Sequence, residues 1–203
     1  MVVNLPQARS DSDVSVEAAL LKRRSVRDYT AEPLTLQEVS QLLWAAQGIT
    51  DPRGFRPAPS AGATHPLEIL LVVGDVTNLA QGVYRYLPHQ HKLVKVLEGD
   101  VRAELARAAL GQAWVREGAI NIIITAIYER TTRGYGDRGI RYVHMEVGHV
   151  GQNVHLQAVA LNLGTVVVGA FRDDQVKKTL NLPPDEHPLY IMPVGRIQRR
   201  ASG

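Results

Sequence analysis

The spacing of apolar and polar residues divides the chain into helices, short strands and one long loop. Leu36, Val39 and Leu42 recur at helical spacing. They follow Thr35, which opens a T-L-Q-E capping-box pattern and predicts the start of a helix that Gly48 ends. The other predicted helices cover residues 14–23, 100–110, 141–163 and 172–180, and the predicted strands cover 68–73, 83–87, 93–97, 119–127, 165–168 and 189–194.

The helix predicted at 141–163 is the longest and carries a continuous apolar stripe. Gly148 and Gly151 each weaken it by about 1 kcal/mol relative to alanine, which indicates the close approach of another helix. Leu156, Val159 and Leu163 widen the apolar surface, so the helix is predicted to be buried in a core or in an interface between chains. Periodicity alone favours neither. The stripe consists of Val143, Val147, Val150, Val154, Ala158 and Leu161.

A long loop is predicted at residues 51–66, which contain four prolines and two glycines. A loop of this length favours a functional role. Its last part, P-S-A-G-A-T-H-P at 59–66, combines small residues with prolines. The small residues would let a flat ring approach the backbone, and the prolines would restrict the loop.

Composition limits the possible chemistry. The chain has 203 residues, of which 45% are hydrophobic and 21% are charged, as expected for a single globular domain covering 1–203. It has no cysteine, which excludes disulfides, thiolate zinc sites, Fe–S clusters and thiol catalysis, so any redox chemistry needs a borrowed cofactor. The N-terminus lacks an apolar signal region, and the most apolar stretch, 119–128, is too short to span a membrane. We therefore expect a cytoplasmic protein without membrane contact.

The net charge of +3 is mild, and the basic residues are mostly scattered, so no nucleic-acid partner is predicted. One cluster, R-R-S-V-R at 23–27, follows the first predicted helix. A serine hydroxyl framed by arginines at such a break is suited to a phosphate monoester. A solvated basic surface explains the same residues.

Two further sequence patterns lack what a dinucleotide site or a metal site requires. The segment G-Y-G-D-R-G at 134–139 matches the glycine spacing of a dinucleotide site. However, six residues separate it from the preceding strand, and the required acid about 20 residues later is missing. His144, His149 and His155 point in different directions around one helix, so no metal site is predicted.

Taken in order, five segments resemble the flavin-dependent nitroreductase family, over about residues 20–199. The second and third look most like the branch of dehydrogenases that oxidise azoline rings in thiazole- and oxazole-containing peptides. The segments are R-R-S-V-R-D-Y at 23–29, P-S-A-G-A-T-H-P at 59–66, Y-G-D-R-G-I-R-Y-V-H-M-E-V-G-H-V-G-Q-N at 135–153, L-G-T-V-V-V-G-A-F at 163–171 and P-V-G-R at 193–196.

This resemblance implies an α+β fold with a central, mostly antiparallel sheet flanked by helices. It implies an intimate homodimer with FMN at the interface, to which the long helix would contribute. The implied function is an FMN-dependent oxidoreductase that passes electrons from NAD(P)H, its co-substrate, to small acceptors such as quinones or nitroaromatics. The alternatives are an azoline-ring dehydrogenase of a peptide-modifying pathway and a non-catalytic flavin-binding protein.

The resemblance also implies individual roles. Arg27 matches the cation near the N1–C2=O edge of the flavin ring, and Arg27 and Tyr135 are the candidate catalytic residues. The backbone of Gly169 and Ala170 would face flavin N5. The implied phosphate contacts are Arg23, Arg24, Ser25 and either Arg196 or Arg199, and the cofactor contacts that the partner chain would supply are Pro59, Ser60, Ala61, Gly62 and Thr64.

The chain departs from the family pattern at two positions. Ala63 stands where many nitroreductases carry an asparagine that pairs with the ring. Gly134 stands where azoline-oxidising relatives have the lysine of a Lys-Tyr pair that serves in proton transfer, while Tyr135 is retained. Since loss of a general base typically lowers a rate by about 10²–10⁴, quinone or nitro reduction is favoured over azoline oxidation.

Overall fold

A single antiparallel sheet forms the centre of the protein in the computed structural model, which describes residues 1–197. Its strands lie in the order β1-β4-β3-β2-β5-β7-β6. The strands are β1 (Val2–Asn4), β2 (Leu67–Val73), β3 (Gly82–Leu87), β4 (Lys92–Glu98), β5 (Ile120–Ala126), β6 (Leu163–Thr165) and β7 (His187–Arg196).

Helices cover both faces of this sheet, which gives the predicted α+β architecture. Both faces of β5 are buried along its whole length, as its β-branched sequence predicts. The helices are α1 (Val16–Lys22), α2 (Leu36–Gln47), α3 (Arg102–Ala108), α4 (Ala113–Glu117), α5 (Glu129–Tyr135), α6 (Arg138–Ala160) and α7 (Asp173–Leu180). None of the helices within residues 1–197 combines the length and the apolarity that crossing a bilayer requires.

The predicted capping box forms at the start of α2. The Thr35 hydroxyl oxygen accepts a hydrogen bond from the Glu38 N–H at 3.2 Å, and the Glu38 carboxylate accepts one from the Thr35 N–H at 2.7 Å. Two backbone donors that the helix leaves unpaired are thereby satisfied. Gly48 follows the last helical residue, as predicted.

The long helix differs from its predicted bounds. It begins at Arg138 and ends at Ala160, because Asn162 adopts a left-handed conformation (φ 56°) and the chain from Leu163 pairs with β7 instead. Its valine stripe packs into the core of the same chain. Only the opposite face, which includes exposed Met145 and Gly148, is free to contribute to an interface.

The two glycines of this helix do not mark a helix crossing within residues 1–197. Gly151 lies against the side chains of Tyr190 and Val167, whereas a Cβ on Gly148 would have no neighbour within 4 Å. Close helix packing occurs instead at Gly139, where a Cβ would lie 3.0 Å from the backbone of Thr132 in α5. Within the described part of one chain the expected helix approach is therefore absent at Gly151, whereas the approach of a partner chain's helix at Gly148 stays a prediction.

The buried His155 on α6 should make stability depend on pH. Burial, reinforced by the positive charge of Arg23, lowers the pKa of His155 to about 4. The unfolded chain binds a proton at this position below its ordinary pKa of about 6.5, whereas the folded chain does not. The contribution of His155 is thus fully present above pH 6.5 and is lost as the pH falls toward 4, with a slope of up to about 1.4 kcal/mol per pH unit.

Urea unfolding of the wild type and His155→Gln between pH 7.5 and 4.5 measures this slope. The free energy of unfolding of the wild type should exceed that of His155→Gln at pH 7.5, and this difference should decrease steadily as the pH falls. The matched control is His89→Gln, because His89 is exposed. A pH-independent difference for His155→Gln would show that this histidine is not kept neutral by the fold.

Candidate functional site

The arginine segment, residues 23–27, lies along the edge strand β6. Ser25 forms a parallel bridge with Thr165, and the Val26 N–H donates a hydrogen bond to the Thr165 carbonyl at 2.9 Å. The Thr165 hydroxyl in turn donates to the Pro193 carbonyl of β7 at 2.8 Å. The backbone that carries the arginines is therefore an extension of the sheet.

Two glycines leave the space that this arrangement needs. A Cβ on Gly164 would lie 2.7 Å from the Val26 side chain, and a Cβ on Gly195 would lie 2.7 Å from the ring of Tyr29. The partly buried Tyr29 hydroxyl donates to the Val26 carbonyl at 2.8 Å, and desolvation raises the pKa of that hydroxyl. Gly164 and Gly195 thus let the segment lie flat on the sheet.

The three arginines of the segment have different environments. Within residues 1–197, none of them forms an ion pair with a carboxylate. Arg24 donates to the carbonyls of Leu21 and Arg23 at 3.0 and 2.7 Å, so its guanidinium binds the end of α1. In the described part of the chain, Arg23 and Arg27 thus retain positive charge that no carboxylate offsets, as an anion-binding surface requires.

The short helix α4 joins Arg27 to the predicted backbone contact at 169–170. The Arg27 guanidinium carbon lies 5.4 Å from the centroid of the Trp114 ring. The Gln112 side-chain amide, just before α4, donates to the Ala170 carbonyl at 2.9 Å. Gly169 and Ala170 are exposed beside it. Sequence reasoning missed Gln112 and Trp114.

Arg196 does not join this surface. Its guanidinium donates two hydrogen bonds of 3.0 Å to the Glu38 carboxylate, which also caps α2. The guanidinium is therefore bound at the start of α2. The other candidate phosphate arginine, Arg199, lies outside the described residues.

The loop at 59–66 has an unusual backbone. Gly62, Ala63 and His65 all have positive φ angles, of 58°, 52° and 45°. Such angles are strained for residues other than glycine, and strain of this kind clusters at functional sites. The Ser60 hydroxyl accepts a hydrogen bond from the His65 N–H at 3.0 Å, and the Thr64 hydroxyl bonds that of Thr131 in α5 at 2.7 Å.

Tyr135 lies against this loop in the same chain. A Cβ on Gly62 would lie only 2.6 Å from the Tyr135 hydroxyl, so the absence of a side chain there makes room for it. The ring packs edge-on against Tyr142 at 5.2 Å and remains 41% exposed. The structure thus brings together two pieces that the sequence analysis assigned separately, the loop and Tyr135.

The glycine-rich segment at 134–139 joins two helices rather than a strand and a helix. Gly136 ends α5 with φ 56° and ψ −149°, a conformation that is essentially restricted to glycine. Gly139 permits the close packing of α5 on α6 described above. Each of these glycines therefore has a structural reason that involves no nucleotide.

The candidate site residues form two surfaces that are separated along α6. The arginine surface consists of Arg23 and Arg27, and the loop surface consists of residues 59–66. Glu146, which is 3% exposed, lies behind the loop beside Ser60 and Arg56, and burial raises the pKa of its carboxyl group. His155 lies beside Arg23. The nine helical steps from position 146 to position 155 correspond to about 14 Å along the axis. Within one chain, the two surfaces are therefore distinct.

The model of the family described as "Nitroreductase family" matches residues 20–196. The chain belongs to the nitroreductase family. The chain is 54% identical over 196 residues to a protein of Methanocaldococcus jannaschii that is named as a nitroreductase, and the match covers 97% of this chain and 96% of that protein. A crystal structure described as a nitroreductase of Ralstonia eutropha aligns with a TM-score of 0.86 at 26% identity and covers 98% of this chain and 90% of that one.

A third relative is a microcin-processing protein. The microcin B17-processing protein McbC of Escherichia coli is 32% identical over 156 residues. The match covers 73% of this chain and 57% of McbC, so the chain spans little more than half the length of that relative. These similarities confirm the resemblance to the family and to its azoline-oxidising branch, and they indicate an oxidoreductase by family.

Arg196→Ala should lower the free energy of unfolding by about 1–3 kcal/mol, because it removes a bidentate, charge-assisted pair from a mostly shielded position. Urea unfolding measures the effect. The control is Arg116→Ala, whose pair with Glu117 is largely exposed and should contribute less. A double-mutant cycle with Glu38→Gln should show coupling, and additive effects would contradict the assignment of Arg196 to Glu38.

Proposed function

We propose that this nitroreductase is an FMN-dependent enzyme that passes electrons from NAD(P)H to small quinones or nitroaromatics. The observation that supports it best is the arginine surface. Arg23 and Arg27 lack carboxylate partners within residues 1–197, and α4 links Arg27 to the exposed backbone of Gly169 and Ala170. Unpaired cations beside an accessible backbone suit a ligand that has both a phosphate and a planar ring with polar edges.

The residues present fit FMN, and each has a proposed task. Arg23 and Ser25 bind the phosphate, which a guanidinium and a hydroxyl group recognise by charge-assisted hydrogen bonds. Arg27 places positive charge at the pyrimidine edge of the ring, where it favours the reduced form. The backbone of Gly169 and Ala170 lines the ring. FMN, when bound, supplies the two-electron chemistry that the cysteine-free chain lacks.

We also propose that the functional unit is a homodimer. The loop surface, with Pro59, Ser60, Ala61, Gly62 and Thr64, lies about 14 Å along α6 from the residues that would hold the phosphate. A second copy would place its loop on the arginine surface. Exposed apolar side chains support a covered interface. They are Val16, Leu20 and Leu21 of α1, and Ile140 and Met145 of α6.

The second candidate function is azoline oxidation, which the position of Tyr135 favours. Its hydroxyl lies at Gly62 in the loop that is proposed to contact the cofactor. However, the residue before it is Gly134, and neighbouring Arg133 pairs with Glu129 and stays protonated in proteins. The chain therefore has no general base where the azoline-oxidising relatives have lysine. Reduction of a quinone makes a lighter demand, because solvent supplies the protons.

The purified protein should be yellow, release FMN on acid treatment, and reduce menadione at the expense of NAD(P)H. An azoline-containing peptide should be oxidised slowly or not at all. Gly134→Lys should raise the peptide oxidation, since nothing lies within 4 Å of that position to exclude a side chain, whereas the control Gly134→Ala should not. Bound FAD, bound FMN without any turnover, or efficient peptide oxidation without quinone reduction would each overturn the proposal.

The arginines should separate binding from reduction. Arg23→Ala should raise the Kd for FMN by about 10- to 100-fold, as expected for loss of a charge-assisted contact. Arg27→Ala should mainly slow reduction by NAD(P)H, measured by stopped-flow absorbance. Arg24→Ala is the matched comparison, and its effect on Kd should be smaller than that of Arg23→Ala because Arg24 binds helix carbonyls. If none of these variants changes either quantity, the arginine surface is not the cofactor site.

A further inference from the structure

The surroundings of Arg27 are unusual for an exposed arginine. Its guanidinium lies over the face of Trp114, 5.4 Å from the ring centroid, which is within the range of about 6 Å over which a cation and an aromatic ring attract each other. No carboxylate pairs with it in the part of the chain that the structure describes. The indole ring is thus its principal side-chain partner.

Trp114 is itself well fixed. It packs against the core formed on one face of the sheet, and it is followed by the fully buried Val115. Its carbonyl accepts a hydrogen bond of 3.0 Å from the N–H of Gly118, the residue that ends α4. Before the helix, the Gln112 amide bonds the Ala170 carbonyl. The ring therefore packs on the core, and the segment that carries it is tied to the exposed loop at 169–170 through Gln112.

We propose that Trp114 is a positioning residue that holds the Arg27 guanidinium at the flavin ring without neutralising its charge. The inference rests on the proposed function, because it concerns the same site. A carboxylate partner would also fix the guanidinium, but its negative charge would cancel most of the field that favours the reduced cofactor. The face of an indole orients the cation through its quadrupole and leaves the net charge in place.

The quantity that isolates this role is the ratio of the Kd values for oxidised and dithionite-reduced FMN. A purely structural contribution of Trp114 would weaken both forms alike and leave the ratio unchanged. Trp114→Leu should decrease the preference for reduced FMN by about two- to fivefold, which corresponds to a cation–π contact at an exposed site. Trp114→Phe retains an aromatic face and should retain most of the preference.

The double variant Arg27→Ala, Trp114→Leu tests whether the ring acts through the arginine. If it does, Trp114→Leu has no further effect on the ratio once Arg27 is removed. An equal effect in both backgrounds would overturn the inference. Thermal unfolding of each variant is measured alongside. If Trp114→Leu does not fold, Trp114→Phe is compared with Trp114→Met, which fills similar space without a ring, and equal ratios for these two would also overturn it.

The outcomes for the inference and for the proposed function are distinguishable. If the protein binds no FMN, the proposed function is wrong. If it binds FMN and Arg27→Ala changes the ratio while Trp114→Leu does not, the proposed function stands and the role of Trp114 is wrong.

Discussion

The arrangement of the arginine surface depends on two missing side chains. Gly164 and Gly195 occupy neighbouring strands, and a methyl group on either would collide with Val26 or Tyr29. Because these collisions are absent, the arginine segment lies on β6 and hydrogen-bonds its backbone. The positive charges then project from a backbone that the sheet fixes, so only the arginine side chains need to be ordered when an anion binds.

Helix α6 sets the distance between the two candidate surfaces. Its valine stripe anchors it in the core, and its polar residues reach the back of the loop at Glu146 and the arginine segment at His155. One face of this helix is buried along its length, which holds these two points apart. The spacing is therefore set by the helix, and in the proposed homodimer a second chain would bring the two surfaces together.

The sequence predicted those elements whose signals are local. The T-L-Q-E capping box and the apolar run of β5 are each encoded by residues that are neighbours in the chain. Both elements are present where the sequence predicted them. The end of α6 was wrong, because Leu163 continues the apolar pattern while its backbone is taken by pairing with β7, a tertiary contact. Helix α4 has five residues, too few to show any periodicity, so Trp114 gave no signal.

The same distinction applies to the site. Charge and small residues at 23–27 and 59–66 were visible in the sequence, and the resemblance to a family ordered them. The sequence did not show which group each arginine side chain would bind. Arg24 and Arg196 carry the same guanidinium as Arg23, yet one binds the end of α1 and the other binds Glu38. Only the fold determines which arginines stay available.

The position of β7 has a consequence for biosynthesis. This strand, residues 187–196, lies between β5 and β6 and pairs with both. On the ribosome, β5 emerges more than 60 residues earlier and must wait with one apolar edge unpaired. Such an edge is open to pairing with other nascent chains. Arg196 belongs to the same strand, so the pairing of β7 with its two neighbours and the pairing of Arg196 with Glu38 at the start of α2 both depend on the same late segment of the chain.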